Sequence, residues 1–179
     1  MHLTHRELWT ALHGIIFGGG FLVAFSAVFF GLWSLRAKSL TPEGAVRHLR
    51  MVAVGSGFIA IMAWLAVIIG TFVIYPWYRA KPPANTSPAM LAQYPKFLLI
   101  SKPSTANWHE FGMEWKEHLA WFAPILATAV AFVVTRYGRV ILRDAHLQGA
   151  LLRLLGIAFF CAGVAGLLGA LINKAAPTR

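Results

Sequence analysis

The feature that most constrains this chain is a set of four long apolar runs. Residues 14–35, 51–78 and 154–173 contain no Asp, Glu, Lys or Arg, and residues 119–135 form a shorter run of the same kind. A helix that crosses a bilayer needs about 20 apolar residues. Inside lipid the backbone must satisfy its own hydrogen bonds, so only helices and closed barrels cross. These runs are too long, and too rich in Ala, Gly and Leu, for barrel strands that alternate over about 10 residues. The expected fold is therefore an all-α membrane protein, a single four-transmembrane-helix up-down bundle over residues 1–179. The expected helices cover 7–35, 42–76, 108–136 and 139–173, with an irregular Pro-rich loop at 77–107.

Composition agrees. The chain is 58% hydrophobic and 12% charged, whereas soluble domains carry about 25% charged residues. The net charge of +10 does not point to nucleic acid, because basic residues in membrane proteins collect at helix ends and set topology. The first run is too long for a signal-peptide core and is expected to be a retained helix. Local signals mark other boundaries. Thr41 followed by Pro42 and Glu43 reads as a helix start. Asn107 with Glu110 has capping-box spacing. Pro76 should stop the second helix, and Pro124 should kink the third. Gly149, Gly156, Gly163 and Ala170 recur every seven residues as a small-residue seam for a neighbouring helix.

Four crossings place both termini and the Pro-rich loop on one side, here called side A. The short connections on side B concentrate Arg36, Lys38, Arg47, Arg50, Arg136, Arg139, Arg143 and Arg153. Side A spreads its basic residues along a longer loop and offsets them with glutamates. The density on side B predicts that it is cytoplasmic, with both termini outside, in a bacterial-type inner or plasma membrane.

Each helix carries a histidine near its start: His13, His48, His118 and His146. Consecutive helices are antiparallel, so His13 and His118 fall on side A and His48 and His146 on side B. In a square bundle each pair is diagonal. Two facing imidazoles can hold a haem iron, and bundle cores commonly house such sites. The expectation is two bis-histidine haems, one near each face, with a one-haem version keeping only His13 and His118. Cys161 is alone and no CxxCH motif is present, so any haem is b-type and non-covalent. Arg47, Arg50, Arg143 and Arg153 on side B, and Arg6, Arg79 and Lys116 on side A, are candidates for the haem propionates. Gly20 shares the His13 face and Gly55 the His48 face. Small residues there allow either close helix packing or clearance for a macrocycle. His2, His5 and His109 are expected as surface residues.

In its four helix-start histidines and its helix order the chain resembles the di-haem cytochrome b class, especially the cytochrome b561 type. The resemblance implies transmembrane electron transfer, with quinone or a partner cytochrome exchanging electrons, inside a respiratory or photosynthetic complex and as part of a quinone-linked oxidoreductase. Glu110, Glu114 and Glu117 lie on one side of the third helix's start. They either complement its positive end or, through Glu114 or Glu117, accept a proton from a quinol. A cofactor-free structural or assembly subunit is the competing expectation. A transporter is disfavoured, since no carboxylate lies within the apolar runs.

Overall fold

The computed structural model describes residues 4–35 and 40–177; His2, Arg36, Lys38 and Arg179 lie outside them. Four helices are long and apolar enough to cross a membrane: α1 (His5–Ser34), α2 (Pro42–Tyr78), α3 (Pro103–Ile141) and α4 (Ala145–Ala175). No strand occurs among the described residues. The closest packing runs around a ring, α1 on α2, α2 on α3, α3 on α4, and α4 back on α1. Helices α1 and α3 are therefore diagonal, as are α2 and α4. The chain is an integral, multi-pass, all-α membrane protein built as a four-helix bundle.

The starts of the helices follow local chemistry. Thr4 Oγ1 accepts from Glu7 N at 3.2 Å, and Glu7 Oε2 accepts from Thr4 N at 2.8 Å, a complete capping box. Thr41 Oγ1 accepts from Gly44 N at 3.1 Å, with Pro42 opening α2 as expected. Asp144 Oδ1 accepts from Leu147 N at 3.0 Å and opens α4. The connection between α3 and α4 is thus residues 142–144, and α4 begins at Ala145 rather than at the expected 139. Tyr137, at φ −118° and ψ 23°, breaks the helical course one residue past the expected end at 136, and a short helical stretch follows to Ile141.

Two further boundaries differ from expectation. α3 begins at Pro103, and Asn107 lies inside the helix without a side-chain capping bond. Pro103 at the first position has the φ a helix start needs and no N–H to waste. α2 runs through Pro76 to Tyr78. The turn before that proline, Gly70–Ile74, takes the wider π-helical form, which absorbs the missing N–H. Two other π-helical stretches, Leu12–Gly18 and Trp108–Met113, lie at the same end of the bundle. The helical course of α3 is interrupted at Trp121, just before Pro124.

The Pro-rich segment is more ordered than a loop. It holds a 3₁₀ turn at Pro88–Gln93 and a short helix at Pro95–Ile100. Leu99, 1% exposed, packs with Tyr78, Met113, Ile172 and Ala176 in a small apolar cluster over side A.

The main core is made by Leu32, Ile59, Ala127, Val130, Leu151 and Leu155, among others. The outside is equally apolar, with Val23 77% and Val54 75% exposed, as a lipid-facing surface requires. Apolar area cannot drive helix association in lipid, so close packing must. Gly31 of α1 and Gly55 of α2 provide it. A Cβ on Gly31 would lie 2.7 Å from Val52 Cγ2, and one on Gly55 2.8 Å from Val28 Cγ2. The seam expected on α4 is different: Gly156 and Gly163 face open space.

Candidate functional site at the side-A end of the bundle

The buried stripe of α3 decides which side chains enter the bundle. It runs through Met113, Ala123, Ala127, Val130 and Val134, at helical spacing. Extended toward side A, the same stripe passes through Ala120 and Lys116, with Glu117 beside them. His118 is two residues from Lys116, about 200° around the helix. It is exposed, and its Nδ1–H donates back to the Glu114 carbonyl at 2.7 Å.

Lys116 lays its stem across α4. A Cβ on Gly169 would meet Lys116 Cε at 2.9 Å. Its charge acts on Glu117 and on His13. Its ammonium has no hydrogen-bond partner among the described residues. Glu117 Oε2 accepts from the Tyr75 hydroxyl at 2.9 Å, and Arg79 Nη1 donates to that same hydroxyl at 3.0 Å. Glu117 Oε1 is buried and has no partner among the described residues. The Tyr75 and Tyr78 rings stack at 6.2 Å, and the Tyr78 hydroxyl is 2.9 Å from His109 Nδ1. His109 is therefore part of the cluster rather than a free surface residue. Glu110 and Glu114 are exposed. Since α3 begins at Pro103, Glu117 lies deep within a continuous helix, and neutralising a helix start does not account for it.

Beside this cluster, His13 is wedged between α1 and α2. Its Nδ1–H donates to the Ala66 carbonyl at 2.8 Å. The ring lies on Gly70, where a Cβ would approach Cε1 to 2.8 Å. Only a glycine admits the imidazole there. Nε2 has no partner among the described residues. His13 thus sits in one π-helical stretch and packs on another, and such stretches are frequent at functional sites.

Side B is arranged differently. His48 Nε2 lies 2.9 Å from the Gly31 carbonyl and 2.8 Å from Ser34 Oγ. A carbonyl only accepts, so Nε2 is the donor and fastens α2 to α1. His146 is exposed, as are Arg47, Arg50 and Arg153. Gly20 packs near Met62 Sδ, 3.5 Å from where its Cβ would be. The positions of Gly20 and Gly55 are thus lined by neighbouring side chains.

The structure therefore gathers His13, Tyr75, Tyr78, Lys116, Glu117 and His109 at side A. His13 and His118 hydrogen-bond different partners, and His118 and His146 are exposed whereas His48 is half-buried. In sequence Tyr75, Trp77 and Tyr78 look no different from the aromatic residues found at any membrane interface. The signal for Lys116 was the stripe itself, since Ala123 minus seven is position 116.

Comparison with family models, with curated proteins and with solved structures finds no match for this chain. The fold and the site define it as a multi-pass helical membrane protein with a polar cluster built into one end of its bundle.

Proposed function

We propose that this protein is an electron-transfer subunit of a larger membrane complex, with a b-type haem held at side A through His13. The observation that supports this reading is the setting of the His13 ring. Nδ1–H is committed to a backbone carbonyl and Nε2 has no partner among the described residues. Metal-ligating histidines are commonly oriented in this way. A bound haem would supply one-electron chemistry. The fit is confined to His13. His48 has its Nε2 engaged by Gly31, and His118 and His146 stand on exposed faces. The wider assignments belong to the same proposal: a quinone or partner cytochrome as exchange partner, a respiratory or photosynthetic host complex, a bacterial-type membrane, and side B cytoplasmic.

Reduced-minus-oxidised spectra of the gently purified native complex test it. A b-type α band is expected, and His13→Ala should abolish it. His118→Ala and His146→Ala should leave it in place; partial loss in either would restore the two-haem arrangement. A haem-free complex would sink the proposal.

A second reading, a cofactor-free structural or assembly subunit, is favoured by His48, whose ring serves as a fastener between two helices. It expects no haem, and a complex that assembles poorly when His48 is replaced by Ala.

A further inference from the structure

Among the described residues one buried side-chain atom has no hydrogen-bond partner, and it is Oε1 of Glu117. A buried acceptor without a donor is costly, and more so when it is charged. In membrane bundles such ionisable groups mark ion paths and proton relays. The fold gives this carboxylate a connection to the surface. Its Oε2 accepts from the Tyr75 hydroxyl at 2.9 Å, and the Tyr75 oxygen accepts in turn from Arg79 Nη1 at 3.0 Å. Arg79 is exposed and Tyr75 half-buried. Three side chains thus form one hydrogen-bonded chain from the side-A surface to a buried carboxylate on α3. Tyr78 is not part of it, since its hydroxyl pairs with His109 Nδ1 at 2.9 Å.

The surrounding elements set the electrostatics of Glu117. α2 brings Tyr75, Tyr78 and Arg79, and α3 brings Lys116 and Glu114. α1 brings His13, on which Lys116 also acts. α4 brings Gly169 beneath the Lys116 stem, and its next charged residue, Lys174, is exposed. Lys116 therefore balances Glu117 while the carboxyl is ionised. Once Glu117 carries a proton, the Lys116 charge is left to act on His13 without that balance.

We propose that Glu117 is a proton-exchange site, filled and emptied from side A through the Tyr75 hydroxyl, with Arg79 as its gate. A guanidinium does not give up its protons in a protein, so Arg79 occupies the Tyr75 oxygen without feeding it. When the guanidinium moves off, a hydronium ion from side A takes its place. It gives a proton to the Tyr75 oxygen while Tyr75 passes its own proton to Glu117 Oε2. Water, an intact tyrosine and a neutral carboxylic acid remain, and the reverse transfer restores the carboxylate. No electron moves and no haem takes part, so the site stands apart from the reading above.

The test uses the purified full chain in phosphatidylcholine nanodiscs and infrared difference spectra between acidic and alkaline buffer. A protonated-carboxyl band is expected that Glu117→Gln removes and that persists in Glu110→Gln and Glu114→Gln, both at exposed positions. Rapid mixing into heavy water at acidic pH then times the deuteration of that carboxyl by the downshift of its band. Tyr75→Phe should slow the exchange by about tenfold, through loss of one hydrogen-bonded step. Arg79→Gln should speed it by about threefold or more, and Tyr78→Phe should leave it within about twofold of the native rate. Native rates in Tyr75→Phe would overturn the proposal and assign Oε1 to ordered water, and native rates in Arg79→Gln would overturn the gate. Labelling of the native chain with dicyclohexylcarbodiimide, which modifies carboxyls in apolar surroundings, covers the case in which a variant fails to fold. Mass spectrometry of the peptides should find Glu117 modified ahead of Glu110 and Glu114, and modification no faster than at those two would overturn the proposal.

Discussion

At the scale of single residues, glycine shows how differently one residue type is used along this chain. Gly31 faces Val52 at a distance no Cβ could occupy, and valine is stiff at χ1. Gly31→Ala should therefore destabilise the bundle by about 1–3 kcal/mol through overpacking. Gly163 faces open space, and Gly163→Ala should be neutral or should stabilise by up to about 1 kcal/mol through helix propensity. Reversible unfolding in mixed micelles of SDS and a mild detergent would compare the two. Equal effects would contradict the α1–α2 packing described here. The histidines divide in a similar way. His13 Nε2 has no partner among the described residues, His48 fastens two helices, and His118 and His146 stand exposed. Four residues of one type, equivalent by their place near helix starts, have three different settings.

At the scale of elements, boundaries depend on which polar side chain reaches the backbone. Asp144 and Asn107 are both residue types that favour helix starts, yet only Asp144 makes the capping bond. Asp144→Ala should cost about 1 kcal/mol. Asn107→Ala should stay within about 0.5 kcal/mol of the native chain, as for a surface position without a cap. The same unfolding assay reads both. A large loss at Asn107 would restore a helix start there. The π-helical stretches also belong to this scale. All three lie at side A, in α1, α2 and α3. The one in α2 lets the helix pass Pro76, which by itself would end it. The one in α1 carries His13 and the one in α3 carries His109.

At the scale of the whole molecule, the two ends of the bundle are unlike. Side A carries the polar cluster beneath a cover made partly by Leu99, whereas side B is closed by the three-residue connection at 142–144. The proposed orientation gives a direct expectation. In a Cys161→Ser background, Ser101→Cys should react with a membrane-impermeant thiol reagent on intact cells. Arg143→Cys should react only after permeabilisation. The reverse pattern would invert the assignment of the two sides. The up-down order of the helices would survive that result, because it depends on connection lengths and not on charge.

The sequence by itself determined that the chain is helical and membrane-spanning, because the bilayer imposes a length and an apolarity that can be counted in residues. It also determined where α2 begins, since Thr41 caps its own neighbours. Rotation of each helix about its axis was decided only by the tertiary structure. Where both lipid and core are apolar, hydrophobicity cannot tell an inward face from an outward one, and the choice falls to side-chain fit. That fit turned Lys116 and Glu117 toward the bundle and left His118 outside. The stretch from Trp108 to Phe122 contains His118, the candidate ligand that the sequence offers near the start of the third helix. In the folded protein its inward-facing charges are a lysine and a glutamate.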